Sequence, residues 1–157
     1  MSVRSPRDAR VAVVKAALDE ARQRGDRRLG TEHLLLGLLH EPDAVTVRSL
    51  GVDLGQARSA LDALDRSALV AIGLDLAVRP PSVAVSSRKR PPLTSAARAV
   101  LHRAVTQATR VRAGRVTTTH LISALLACEQ PDPVADLMAC LGIDRPAARA
   151  RLEDAAT

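Results

Sequence analysis

Apolar residues recur along this chain at spacings of three and four, the period of a helix face. The first such stripe is Val11, Val14, Leu18 and Ala21, with Arg10, Lys15, Asp19 and Arg22 off it, and it predicts an amphipathic helix opened by Ser5-Pro6 and ending near Gly25. Thr31 caps a second helix in this reading. Glu32 then falls in its first turn, Leu34, Leu35, Leu38 and Leu39 face inward, and Pro42-Asp43 stops it. A short third helix ends near Leu50, where Gly51 supplies a left-handed residue, and Asp53 with Gln56 forms a capping-box start for a fourth.

Leu64 to Val70 followed by Ala71-Ile72-Gly73-Leu74-Asp75 reads as a truncated hairpin, stopped by Pro80 and Pro81. Residues 76–92, rich in Pro, Ser, Arg and Lys, have linker composition and predict a mobile basic connector. Helical spacing resumes at Thr94, through Ala97, Val100, Leu101, Val105 and Ala108 to about Arg112. Three more helices follow, from Thr118 to about Ala127, Asp132 to Leu141, and Asp144 to about Asp154.

The pattern is a duplication. Gly30-Thr31-Glu32-His33-Leu34-Leu35-Leu36-Gly37-Leu38-Leu39 returns as Thr117-Thr118-Thr119-His120-Leu121-Ile122-Ser123-Ala124-Leu125-Leu126, and Leu50-Gly51-Val52-Asp53 as Leu141-Gly142-Ile143-Asp144. The second copy carries four extra residues, placed in a loop around Glu129 to Pro133. Two matching units predict an all-α, eight-helix bundle built from two pseudo-twofold-related four-helix repeats. The expected layout is one domain over 1–157, with repeat one at 5–75, the linker at 76–92 and repeat two at 93–155. At 157 residues roughly 70 % of the unfolded surface can be buried, enough for a genuine core.

Composition narrows the function classes. Phe, Trp and Tyr are absent although 46 % of residues are apolar, so the core is aliphatic and an aromatic platform for stacking bases is excluded. Net charge is +6 and nearly all of it is Arg, a bias that a GC-rich coding sequence also produces. No basic stripe gathers on one helix face. A small basic nucleic-acid-associated protein, suggested by Arg88-Lys89-Arg90, remains the alternative reading. Cys128 and Cys140 fall among apolar residues and read as buried, reduced thiols of a cytoplasmic protein. No apolar run reaches the roughly 20 residues of a membrane span, and no export signal precedes the first helix.

The repeated motif, with Gly30 to Glu41 and Leu50 to Asp53, closely resembles the N-terminal Clp repeat domain of AAA+ unfoldases of the ClpC and ClpA class. The resemblance covers nearly the whole chain. It implies two four-helix halves that receive substrates, adaptors or degradation tags for an ATPase ring. The chain has no Gly-x-x-x-x-Gly-Lys-Ser/Thr loop, which excludes nucleotide hydrolysis by that mechanism. Its divergent linker and missing aromatics lead to the expectation of a stand-alone, actinobacterial-type homologue. The expected function is a non-enzymatic protein- and peptide-binding module of the Clp proteolytic system, or a decoy within it.

The resemblance also implies sites. ClpC-type domains that recognise phosphorylated arginine hold the guanidinium with the glutamate of this motif, here Glu32, near Thr31; Arg7 stands where the family usually has Thr. A carboxylate can take a guanidinium in a forked pair while helix-start amides hold the phosphate. Glu32 also serves a plain role, as favourable negative charge at a helix start. In the second copy Thr119 replaces it, so at most one such site is expected. Cyclic peptide antibiotics bind family members in a groove formed largely by the first and fifth helices. The corresponding stripes are Val3, Val11, Val14 and Leu18 with Val100, Leu101 and Val105. His33 and His120 read as structural, Asp53 and Asp144 as helix caps, and the Cys and His spacings match no zinc site. No cofactor is expected.

Overall fold

The computed structural model describes residues 8–73 and 90–155; the expected opening of helix one at Ser5-Pro6, most of the linker, Leu74-Asp75, Val3 and Arg7 lie outside them. Among the described residues there are eight helices: α1 (Ala9–Arg24), α2 (Thr31–His40), α3 (Ala44–Leu50), α4 (Leu54–Ala71), α5 (Ser95–Arg110), α6 (Thr118–Leu126), α7 (Pro133–Cys140) and α8 (Arg145–Ala155). Their only β pairing is an isolated parallel bridge between Leu29 and Leu93.

Local chemistry accounts for the helix ends. Asp8, Asp43, Asp53, Thr94 and Asp132 each accept a first-turn amide with the side chain. Gly25, Gly51 and Gly142 take the left-handed conformation just past helix ends. The cap of α1 is therefore Asp8. Helix α4 runs unbroken through Leu64 to Ala71, and the expected truncated hairpin beyond Gly73 lies outside the described residues. Two of the four extra residues in repeat two lie before Asp132; the others lengthen α7 and its C-terminal turn.

The two repeats interlock. Helix α3 packs on α6 and α8 of the other repeat, and α7 packs on α2 and α4 of the first. Reciprocal hydrogen bonds mark the pseudo-twofold: Thr31 Oγ1 donates to Asp132 Oδ1 and Thr118 Oγ1 to Asp43 Oδ2, each at 2.5 Å. Each hydroxyl sits at the first position of its repeat's second helix and reaches the cap of the third helix in the other repeat. The connectors exchange in the same way, with the Thr94 amide donating to Leu29 O at 2.9 Å and the Ala9 amide to Val116 O at 3.0 Å.

The core is aliphatic and continuous across both repeats, centred on α2 and α6: Leu34, Leu35, Leu36, Leu38 and Leu39 with Leu121, Ile122, Ala124, Leu125 and Leu126 are all buried. On α1 the buried face is Val13, Ala17, Glu20 and Ala21, so the predicted stripe is rotated; Val14 and Leu18 lie at its flank and Val11 is 66 % exposed. Small residues face α2 because the two helices approach closely at Gly37. Cys128 is half-buried and Cys140 exposed, which corrects the expectation that both are buried: α7 buries Val134, Ala135, Leu137 and Met138, and position 140 falls off that face.

One repeat carries backbone strain that its twin avoids. Gly25 follows α1 at φ 73°, whereas Arg112 occupies the matching place after α5 at φ 52°. A side chain in this region costs roughly 1–2 kcal/mol, part of which a glycine returns through its freer unfolded chain. Arg112→Gly is expected to stabilise the protein by about 0.5–1 kcal/mol, seen as a higher melting temperature by far-UV circular dichroism. A lower one would mean the Arg112 side chain contributes more than its backbone costs.

Candidate functional site

The start of α2 is built around a glycine, a glutamate and a histidine. His33 is 1 % exposed, and its Nδ1 accepts the Gly30 amide at 2.9 Å. That nitrogen carries no proton, so Nε2 does, and it donates to Asp26 Oδ2 at 2.7 Å. The second repeat makes the same reach-back bond, from the Thr117 amide to His120 Nδ1 at 3.0 Å. The recurring His of the duplicated motif is thus a helix-start acceptor in both copies, and burial lowers the pKa of His120.

Glu32 folds its carboxyl back over Gly30. A methyl group at Gly30 would lie 2.3 Å from Glu32 Oε2 and 2.7 Å from Oε1, so the missing side chain at 30 makes room for the carboxylate. In the second repeat both positions change together, to Thr117 and Thr119, and this coupled difference between the copies was legible in the sequence but unread there. Glu32 Oε2 is buried and has no hydrogen-bond partner. Oε1 lies 3.5 Å from His33 Nδ1, the nitrogen already occupied by the Gly30 amide. Burial is the largest cause raising the Glu32 pKa; His33 opposes it in part, and Asp26 and Asp132 add to the rise. For Asp26 burial also pushes upward, but the His33 bond and the Arg24 guanidinium hold it below the ordinary value.

Thr31 does not join this group. It is buried, and its hydroxyl donates to Asp132 and accepts the Val134 amide at 3.3 Å, so it belongs to the repeat interface. It also does not cap α2; Gly30 holds that position.

A cavity of about 500 Å³ runs along α1, walled by Ala9, Val11, Ala12, Lys15 and Asp19, by Gly37, Leu38, His40 and Glu41 at the end of α2, and by Thr118. Of the expected groove residues that are described, only Val11 lines it. Val100 is in the core, and Val14, Leu18, Leu101 and Val105 pack half-buried against the core. No described residue of α5 lines this cavity.

Glu20 is a site the sequence reading missed. It is 1 % exposed on the inner face of α1, pairs with Arg58 of α4 and lies 3.2 Å from His40 Nε2 of α2. Its signal was position: it shares the face of Val13 and Ala17. Among the described residues no group of His, Cys, Asp and Glu is arranged to hold a metal. No described helix is long and apolar enough to cross a membrane.

The family model of the Clp repeat (R) N-terminal domain matches residues 8–76. Over 49 residues, 29 % of this chain, the sequence is 47 % identical to a protein of Bacillus subtilis named negative regulator of genetic competence ClpC/MecB. Over 72 residues, 44 % of the chain, it is 40 % identical to the chloroplastic chaperone protein ClpC1 of Oryza sativa. The matched segments cover 6 % and 8 % of those relatives, so the chain spans less than a tenth of their length. The crystal structure of the N-terminal domain of the chaperone ClpD from Arabidopsis thaliana superposes with a TM-score of 0.70 at 17 % identity, covering 95 % of each chain, which shows a shared fold for both repeats.

Proposed function

We propose that this chain, which carries a Clp repeat N-terminal domain, is a non-enzymatic binding module of the Clp proteolytic system that captures substrates, adaptors or degradation tags. The tag we assign to Glu32 is phosphorylated arginine. One observation carries this reading: a carboxylate oxygen is held buried and unpartnered at the first turn of α2. Keeping such a group without a partner costs stability, and folds retain such costs where a ligand relieves them. A guanidinium would satisfy both oxygens in a forked pair, and α2's first-turn amides would face the attached phosphate. The cavity along α1, with Val11 on its rim, is the proposed seat for an adjoining peptide, including a cyclic peptide antibiotic if the module acts as a decoy.

The test is calorimetric titration of phosphoarginine and of an arginine-phosphorylated protein into the wild type and Glu32→Gln, with stability measured alongside. Wild type is expected to bind one equivalent and the variant none. The variant is also expected to be more stable near neutral pH, by about 1 kcal/mol, because it removes an orphaned carboxylate. The sign follows from the raised pKa: the stability Glu32 contributes is complete below its unfolded value and is lost as pH rises through its folded one. The gain from Glu32→Gln should therefore fade in acid. If wild type binds neither ligand, Glu32 is only a helix-start residue and the assignment is wrong. A pulldown that never enriches Clp components, adaptors or substrates would remove the broader reading.

A further inference from the structure

The internal duplication lets one half of the molecule serve as the reference for the other. Thr31 matches Thr118 and His33 matches His120, the exposed cap Asp53 matches Asp144, and Ala17 matches Ala104, Ala57 matches Ala148 and Leu61 matches Leu152, these last three buried in both copies. On the same correspondence Glu20 becomes Gln107, His40 becomes Ala127, Arg58 becomes Arg149 and Leu54 becomes Arg145.

The first repeat is electrically closed at this place. Glu20 supplies a buried carboxylate, Arg58 bonds both of its oxygens, with Nε 3.2 Å from Oε2, and His40 approaches from the third side. In the second repeat the carboxylate is gone. Gln107 turns its amide to Ser123 Oγ at 3.4 Å, while the arginine is kept and a second one is added. Both arginines crowd onto one uncharged acceptor, the Leu126 carbonyl at the end of α6: Arg145 through Nε at 3.1 Å and a terminal nitrogen at 2.6 Å, Arg149 through a terminal nitrogen at 2.8 Å.

This pairing is unfavourable by itself. Like charges four apart on a helix repel, and a single carbonyl meets few of the ten N–H groups that two guanidiniums present. The guanidinium hydrogen bonds of Arg145 and Arg149 run to the Leu126 carbonyl, where Arg58 has the Glu20 carboxylate. Arg103 of α5 adds a third positive charge near Cys128, as Arg145 does; Asp132, the acid of that neighbourhood, is engaged by Thr31 and the Val134 amide. We propose that Arg145 and Arg149 form an oxyanion site in repeat two, at the place where repeat one carries its own carboxylate. Their ligand is a carboxylate or phosphoryl group, gripped by the guanidinium edges that Leu126 leaves free. The site is separate from Glu32 and stands or falls without it.

The experiment is calorimetric titration of the full chain with inorganic phosphate and, separately, with succinate, at ionic strength held constant with chloride. Saturable one-site binding is expected. Arg149→Gln should weaken it about tenfold, the scale of one charge-assisted hydrogen-bonded contact. Arg98→Gln, on another exposed arginine of α5, should leave it unchanged. Gln107→Glu supplies the carboxylate that repeat one already has, and it should abolish anion binding while raising the melting temperature. Tighter binding of phosphate identifies a phosphoryl ligand, tighter binding of succinate a carboxylate. Saturation by neither anion, an equal loss in Arg98→Gln, or wild-type binding in both Arg149→Gln and Gln107→Glu overturns the proposal.

Discussion

Gly37→Ala is expected to lose about 2–3 kcal/mol of stability, although alanine is the better helix former by roughly 1 kcal/mol. A Cβ at Gly37 would stand 2.4 Å from the Val13 carbonyl oxygen, 3.1 Å from the Ala17 amide nitrogen and 3.3 Å from the Ala17 methyl. Two of these three are backbone atoms of α1, which no rotamer change can move. The helices would have to part, loosening Ala17 and Leu38 at the centre of the first repeat. Repeat two has Ala124 at the matching position, and α5 and α6 there pack less closely than α1 and α2. The measurement is urea unfolding followed by far-UV circular dichroism, since the chain has no tryptophan or tyrosine for fluorescence. An unchanged midpoint would show that α1 and α2 separate without cost.

Arg58→Met is expected to be comparably damaging, at about 2 kcal/mol. It keeps most of the side chain's apolar contact but strands the buried Glu20 carboxylate with His40 as its remaining partner. Breaking a buried ion pair from one side costs several kcal/mol because the other charge stays in a poorly solvated place; Arg58 is itself half-exposed, so the loss here sits below that range. The double variant Glu20→Gln/Arg58→Met should recover most of the loss, since Gln107 shows that this fold accepts an amide at the equivalent position. Additive losses in the double-mutant cycle would mean that Glu20 and Arg58 act independently.

The site was only half legible in the sequence. The repeated motif singled out Glu32 in the sequence, and the comparison of Gly30 and Glu32 with Thr117 and Thr119 explains why only one copy has room for a carboxylate folded over its helix start. Thr31 was misplaced as a ligand neighbour because its partner, Asp132, lies in the other repeat. The stripes of the first and fifth helices were read from each helix alone, and neither stripe says which helix will cover it, so Val100 lies in the core while Val11 stays exposed.

Periodicity, caps and the duplicated motif by themselves determined the eight helices, the positions of most of their ends and the pseudo-twofold, because these depend on spacings within a turn or two of chain. Tertiary structure alone decided the rest. It rotated the buried face of α1 so that Gly37 could meet Ala17, and it crossed α3 and α7 into opposite repeats. It also neutralised Glu20 with Arg58 while leaving Arg145 and Arg149 to share one carbonyl. Those outcomes depend on which surfaces meet across long separations in the chain, where burial and charge are settled by neighbours that local spacing does not name.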